Sequence, residues 1–207
     1  MKINYQILCI LLILCIGYLL ANKNSSINIE QAVLNNIFER KSVRSYTTES
    51  VSDEILTTLV KAGMAAPTAG NMQPWEFIAV NDTNLLKEYA TVNPNAQMAL
   101  KAPAAIVVLA NLNTYEARPE MAGYWPQDTS AATQNILLAA EAMGLGAVWT
   151  GVYNGGYSQD RIRGAKKIFN LPDNLIPLAV IIIGYPDGET LPKDKWKPEK
   201  LYWNTIQ

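Results

Sequence analysis

The stretch GLGAVWTGVY, residues 144–153, places Gly144 and Gly146 at the spacing of the turn that cradles a dinucleotide pyrophosphate. Trp149 stands where the third small residue of that fingerprint belongs. The order of elements is reversed as well. A helix rich in small residues precedes the stretch and a strand follows the glycines, whereas the fingerprint needs a strand and then a helix. A dinucleotide-binding parallel fold is therefore rejected, and the glycines are read as letting backbone approach a flat ligand closely.

On either side, AAIVVLA (104–110) and LAVIIIG (178–184) are apolar without interruption, as expected of strands covered on both faces. WEFIAV (75–80) reads as a shorter strand. Helical spacing marks 30–39, with Ala32, Val33, Ile37 and Phe38 as apolar positions. It also marks the segment after Ser52, a predicted N-cap with Asp53 and Glu54 in the first turn. That helix carries Ile55, Leu56, Leu59, Val60, Gly63 and Met64 as its stripe and ends before Pro67. Further helices are predicted over 84–89, over 130–143 with Asp128 or Thr129 as cap, and over 158–169. Residues 111–127 read as irregular and 187–207 as a polar tail. Strands alternating with helices predict one α/β or α+β domain.

Composition narrows the function. Of 207 residues, 49% are hydrophobic, enough for one ordinary core. Lys and Arg total 17 against 18 Asp and Glu, so no general basic field exists to hold nucleic acid, and any anion site is local. Histidine is absent, and Cys9 and Cys15 both lie in the first 21 residues. A Ser-His-Asp triad, a Cys-His dyad and a metal held by His or thiolate are excluded for the domain, which points to chemistry borrowed from a cofactor.

Residues 1–21 begin with Lys2 and continue in an uncharged apolar run over 7–20. The run is short of the about 20 apolar residues of a spanning helix and fits an export signal with Ala21 at the cleavage position. The expectation is an exported or membrane-associated protein of the periplasm or cell envelope. An uncleaved anchor facing the cytoplasm is the alternative. Membrane contact would come only through this leader. Residues 22–29 read as a linker and 30–207 as the domain.

Two further segments carry polar chemistry. ERKSVRSY (39–46) gathers Arg40, Lys41 and Arg44 around Ser42. Cations behind a helix answer its dipole, and the same spacing suits a bound phosphate, so both readings stand. In PTAGNMQPW (67–75), prolines and glycine fix a sharp turn, and Asn71 and Gln73 each present an amide able to read a heterocycle with imide edges.

In this order, ERKSVRSY, APTAGNMQPWEF (66–77), GLGAVWTGVY and the tail run Lys193, Asp194, Lys195 resemble the nitroreductase family, the FMN-dependent oxidoreductases, from about residue 28 onward. The resemblance implies an α+β fold, a mixed sheet flanked by helices, in an intertwined homodimer with two FMN sites at the interface. It implies that Arg40, Lys41, Ser42 and Arg44 contact the FMN phosphate, ribityl chain and pyrimidine edge. Pro67, Thr68, Ala69, Asn71 and Gln73 would form the loop under the flavin, supplied by the partner subunit. Thr150 and Gly151 would face the reactive N5 edge. Lys193 and Lys195 would hold the phosphate, Lys195 standing where the family favours arginine. No protein acid or base is required. NADH or NADPH would give hydride to FMN, and a small acceptor such as a nitroaromatic, quinone or enone would receive it in ping-pong order. Tyr115, Tyr124 and Trp125 fit an aromatic wall over the flavin and fit core or interface packing equally. The alternatives are an exported flavoenzyme fed by another donor and a flavin-binding protein without turnover.

Overall fold

The computed structural model describes residues 28–155 and 159–206. The leader expected over 1–21 and most of the linker lie outside these residues, as does Ser158 at the predicted start of the last helix. Among the described residues no helix is long and apolar enough to cross a membrane. Two compact units divide at Asn35 and Asn36. Within the first, Gln31 donates to the side chains of Asn28 and Asn35 at the start of helix α1 (Ile29–Glu39).

The second unit contains the sheet. Its strands β1 (Trp75–Val80), β2 (Ala104–Asn111), β3 (Gly146–Gly151) and β4 (Leu175–Gly184) lie in the order β1-β2-β4-β3. All three pairings are antiparallel. Among the described residues, the expected mixed sheet is present only as a single parallel bridge, from Ser42 to Ala147 on the outer side of β3. The apolar runs report burial on two faces rather than parallel pairing. On β2, Ala105, Val107 and Leu109 join one core while Ala104, Ile106 and Val108 join the other. Alternation along β4 does the same with Val180 and Ile182 against Ile181 and Ile183.

Helices supply both layers. Leu56 and Leu59 of α2 (Asp53–Met64) and Ile136, Leu137 and Ala140 of α4 (Trp125–Ala142) cover one face. Leu86 and Tyr89 of α3 (Thr83–Val92) and Ile162 and Ala165 of α5 (Gln159–Ile168) cover the other. Ser52 caps α2 as expected, its side chain accepting from the Ile55 N–H at 3.3 Å. Helix α4 begins at Trp125, five residues before the expected 130, because Pro126 takes the first-turn position that proline favours. Asp128 and Thr129 are thus inside the helix and not its caps: Thr129 donates back to the Trp125 carbonyl at 2.6 Å.

Pro177 sits at a bulge, where the β2 and β4 register shifts between Val108 and Leu109. A ladder proline is tolerated at such a site. Opposite it, the Leu178 carbonyl accepts from both Val152 and Tyr153, which ends β3 just beyond Gly151.

Two surfaces differ from the reading of the sequence. Helix α1 buries no residue, leaving Val33, Ile37 and Phe38 exposed. The tail, expected to be polar, exposes Leu191, Trp196, Leu201, Tyr202, Trp203 and Ile206.

Candidate functional site

Helix α1 stops at Glu39, so Arg40 and Arg44 do not share a helical face. The chain instead runs along the open edge of β3. The Val43 N–H donates to the Ala147 carbonyl at 3.1 Å, and the Val43 side chain lies flat over Gly146. A Cβ on Gly146 would come within 2.7 Å of Val43 Cγ1, so glycine is what admits this contact. Tyr46, buried, donates to the Val43 and Ile182 carbonyls and pins the far end of the segment. Burial pushes the Tyr46 phenol well above its ordinary range, against the opposing field of Arg44, and so keeps it a donor. With Val43 and Tyr46 turned inward, Arg44 is left at the surface.

The cations converge. Arg40, Lys41, Ser42 and Arg44 line a cavity of about 270 Å³ together with Thr190, Leu191, Lys193 and Lys195. No carboxylate lines it. Lys41 is paired with Glu141 of α4 at 2.6 Å, while among the described residues Arg40, Arg44, Lys193 and Lys195 have no ion-pair partner. Four uncompensated cations around one small cavity repel one another, and an anion reverses the sign of that interaction. Thr190, unmarked in the sequence, joins them as a hydroxyl.

The 67–73 loop is built elsewhere. Gly70, Asn71 and Gln73 have φ of 56°, 55° and 51°, the left-handed region that costs non-glycine residues energy. The turn is held by the Gln73 N–H donating to Thr68 Oγ1 at 3.0 Å and by Gln73 Nε2 donating to Asn71 Oδ1 at 3.1 Å. Ala69 donates its N–H to Asp128 Oδ1 at 2.8 Å, and the Tyr115 hydroxyl donates to Asp128 Oδ2 at 3.1 Å. Asp128 is 4% exposed and anchors the loop to α4. Burial first, then the Asp128 carboxylate, raises the Tyr115 phenol above its usual range, which fixes it as the donor. Asp128 is the site residue that the sequence reading missed, having been taken for a cap. Pro67, exposed, precedes the turn, and none of the loop's residues lines the cation cavity.

The three aromatics separate. Tyr115 is buried against Asp128, Tyr124 is exposed, and Trp125 packs edge-on against Tyr153 at 4.6 Å between ring centroids. They form no continuous wall within the chain.

At the end of β3, parity places Ala147, Trp149 and Gly151 toward the open edge, since Val43 grips Ala147 there. Thr150 turns its side chain inward, where Oγ1 donates to the Val180 carbonyl at 2.6 Å. The cation cavity and the Gly151 backbone therefore lie along one strand edge.

In this α+β chain, with its cation cavity beside an open strand edge, the sequence matches the Nitroreductase family over residues 37–93 and 86–185. The chain belongs to the nitroreductase family. A protein of Methanothermobacter thermautotrophicus described as an NADH dehydrogenase/NAD(P)H nitroreductase is 39% identical over 170 residues, 82% of this chain and 85% of that one. A crystal structure of the same description from Bacteroides thetaiotaomicron is 43% identical with a TM-score of 0.77, covering 84% of this chain and 98% of that one. An FMN-dependent nitroreductase from Clostridium difficile is 27% identical with a TM-score of 0.73, covering 84% and 99%.

Proposed function

We propose that this protein is an FMN-dependent oxidoreductase that passes electrons from NADH or NADPH to a small acceptor, such as a nitroaromatic, quinone or enone, in ping-pong order. The carrying observation is the cavity lined by Arg40, Lys41, Ser42, Arg44, Lys193 and Lys195 and by no carboxylate. That donor set fits a phosphate monoester: several cations for its charge and two hydroxyls, of Ser42 and Thr190, as neutral donors. The names of the relatives, which specify FMN and NAD(P)H, support the same cofactor and donor.

When bound, FMN supplies reversible two-electron transfer. The residues of the chain bind and orient. Arg40, Arg44, Lys193 and Lys195 hold the phosphate end. The outward backbone of Gly151 directs an amide N–H at the ring edge, and the exposed amides of Asn71 and Gln73 address the heterocycle. None of these groups needs to gain or lose a proton, which accords with a domain lacking histidine and cysteine.

We further infer a homodimer in which a second copy brings its 67–73 loop to the cations. The unpaired apolar side chains support this: Phe38 and Trp196, each 68% exposed, flank a groove of about 600 Å³ beside the cation cavity. As purified, the protein is expected to be yellow, dimeric and reducible by NADH or NADPH without oxygen. Anaerobic titration checks this. A flavin that stays oxidised with both donors refutes nicotinamide-driven turnover and leaves the non-nicotinamide donor or the non-catalytic reading.

The leader over 1–21 supports export or attachment to the cell envelope. Fractionation and the mass of the mature N-terminus check this. A periplasmic chain starting after Ala21 excludes the cytoplasm-facing anchor, and an intact chain free of membrane refutes both forms.

A further inference from the structure

Under the ordered end of β3 lies a polar cluster with every proton assigned. Thr150 Oγ1 donates its single proton to the Val180 carbonyl. Its 2.9 Å contact with Tyr89 must therefore be donated by the tyrosine hydroxyl. Asn93 then supplies Tyr89 with a donor, Nδ2 to the phenol oxygen at 2.7 Å. The other Nδ2 proton goes to the Gly151 carbonyl at 3.1 Å. Asn93 Oδ1 accepts from the Asn95 N–H, and the Asn93 N–H donates to the Tyr89 carbonyl, which fixes the asparagine at the end of α3. Tyr89, Asn93 and Thr150 are all buried, Tyr89 and Asn93 at 0% exposure. Burial raises the Tyr89 phenol above its ordinary range, so it remains a donor.

This cluster grips both sides of one peptide. Thr150 is held by its hydroxyl and Gly151 by its carbonyl, so the peptide joining them is oriented from within the fold. Gly151 would otherwise be the loosest residue of the strand, because glycine loses most freedom on ordering. It is also on an open edge, where among the described residues no neighbouring strand holds its carbonyl. Asn93 takes the place of that strand. The N–H of Gly151 faces the same open edge as its carbonyl.

We propose that Tyr89 and Asn93 are positioning residues that aim the Gly151 N–H at the redox-active edge of the cofactor and so set its reduction potential. Neither residue touches the cofactor; both act through the peptide between Thr150 and Gly151. The inference rests on the FMN reading above. A directed N–H stabilises electron density gained by the ring edge, so its loss favours the oxidised form.

The test uses the FMN-loaded dimer with Tyr89→Phe, which keeps the buried ring, and Asn93→Ala, which acts at the other end of the cluster. Flavin affinity is expected to stay within about threefold of wild type, because the cation cavity is untouched. The preference for reduced over oxidised flavin is expected to fall about tenfold, equivalent to a midpoint potential lower by about 30 mV. In the apoprotein, hydrogen exchange of the 146–152 segment is expected to accelerate in both variants. Potentials equal to wild type in both variants, with FMN bound, overturn the positioning role. Wild-type protein that binds no FMN overturns the cofactor reading itself, and this inference with it. The two failures differ in whether the unmutated protein is yellow.

Discussion

Arg44→Ala is expected to raise the dissociation constant for FMN roughly ten- to a hundredfold, and Arg40→Ala to do the same. Each removes one charge-assisted contact to the phosphate, worth about 1.5–3 kcal/mol, and every 1.4 kcal/mol is about tenfold. Neither arginine is tied to a carboxylate among the described residues, so no internal partner is left unpaired by its removal. The fold is expected to survive: Arg44 is exposed, and Val43 and Tyr46 carry the packing of the segment. Lys41 differs. It neutralises Glu141 at 2.6 Å, so Lys41→Ala also leaves a carboxylate beside the anion. Flavin release followed by fluorescence, at low and high salt, checks the set. An affinity unchanged in both arginine variants would remove the phosphate role.

Asp128→Ala is expected to be the most damaging single change to the site. It strands two donors in a buried setting, the Ala69 N–H and the Tyr115 hydroxyl. Each orphaned group costs about 1–3 kcal/mol, so a loss of roughly 2–6 kcal/mol follows, or a melting temperature lower by about 4–24 °C. The left-handed backbone at Gly70, Asn71 and Gln73 loses its anchor at the same time, so bound flavin is expected to fall too. Asp128→Asn should be milder, since its oxygen still accepts from Ala69 and its amide can donate to the Tyr115 oxygen. Calorimetry and flavin content measured together decide the matter. A stable Asp128→Ala protein with full flavin content would show that the loop needs no such anchor.

Much of this was legible beforehand, for identifiable reasons. Ser52 announced itself as a cap because its hydroxyl chemistry is local. The strands over 104–110 and 178–184 were plain because burial on both faces leaves no polar interruption. Their direction was not, because an antiparallel strand between two helical layers reads the same as a parallel one. Pro126 was read inside an irregular segment, although proline suits a first helical turn, and Asp128 was misplaced with it. The convergence of Lys193 and Lys195 on Arg40 and Arg44, some 150 residues away in sequence, has no local signature and came only from the family resemblance. The tail looked polar because its lysines obscured Trp196 and Trp203, both exposed.

The bridge between Ser42 and Ala147 has a metric consequence. Ala147 and Gly151 lie four residue steps apart along β3, which at about 3.3 Å per residue is a span of roughly 13 Å. The strand edge is a ruler graduated by the chain itself, with charge at one mark and the proposed amide donor of Gly151 at the other. A free phosphate ion satisfies the first mark and nothing else. On the FMN reading proposed above, the ligand carries its ring on a tether long enough to reach the second. On that reading, length as much as charge is what this edge selects.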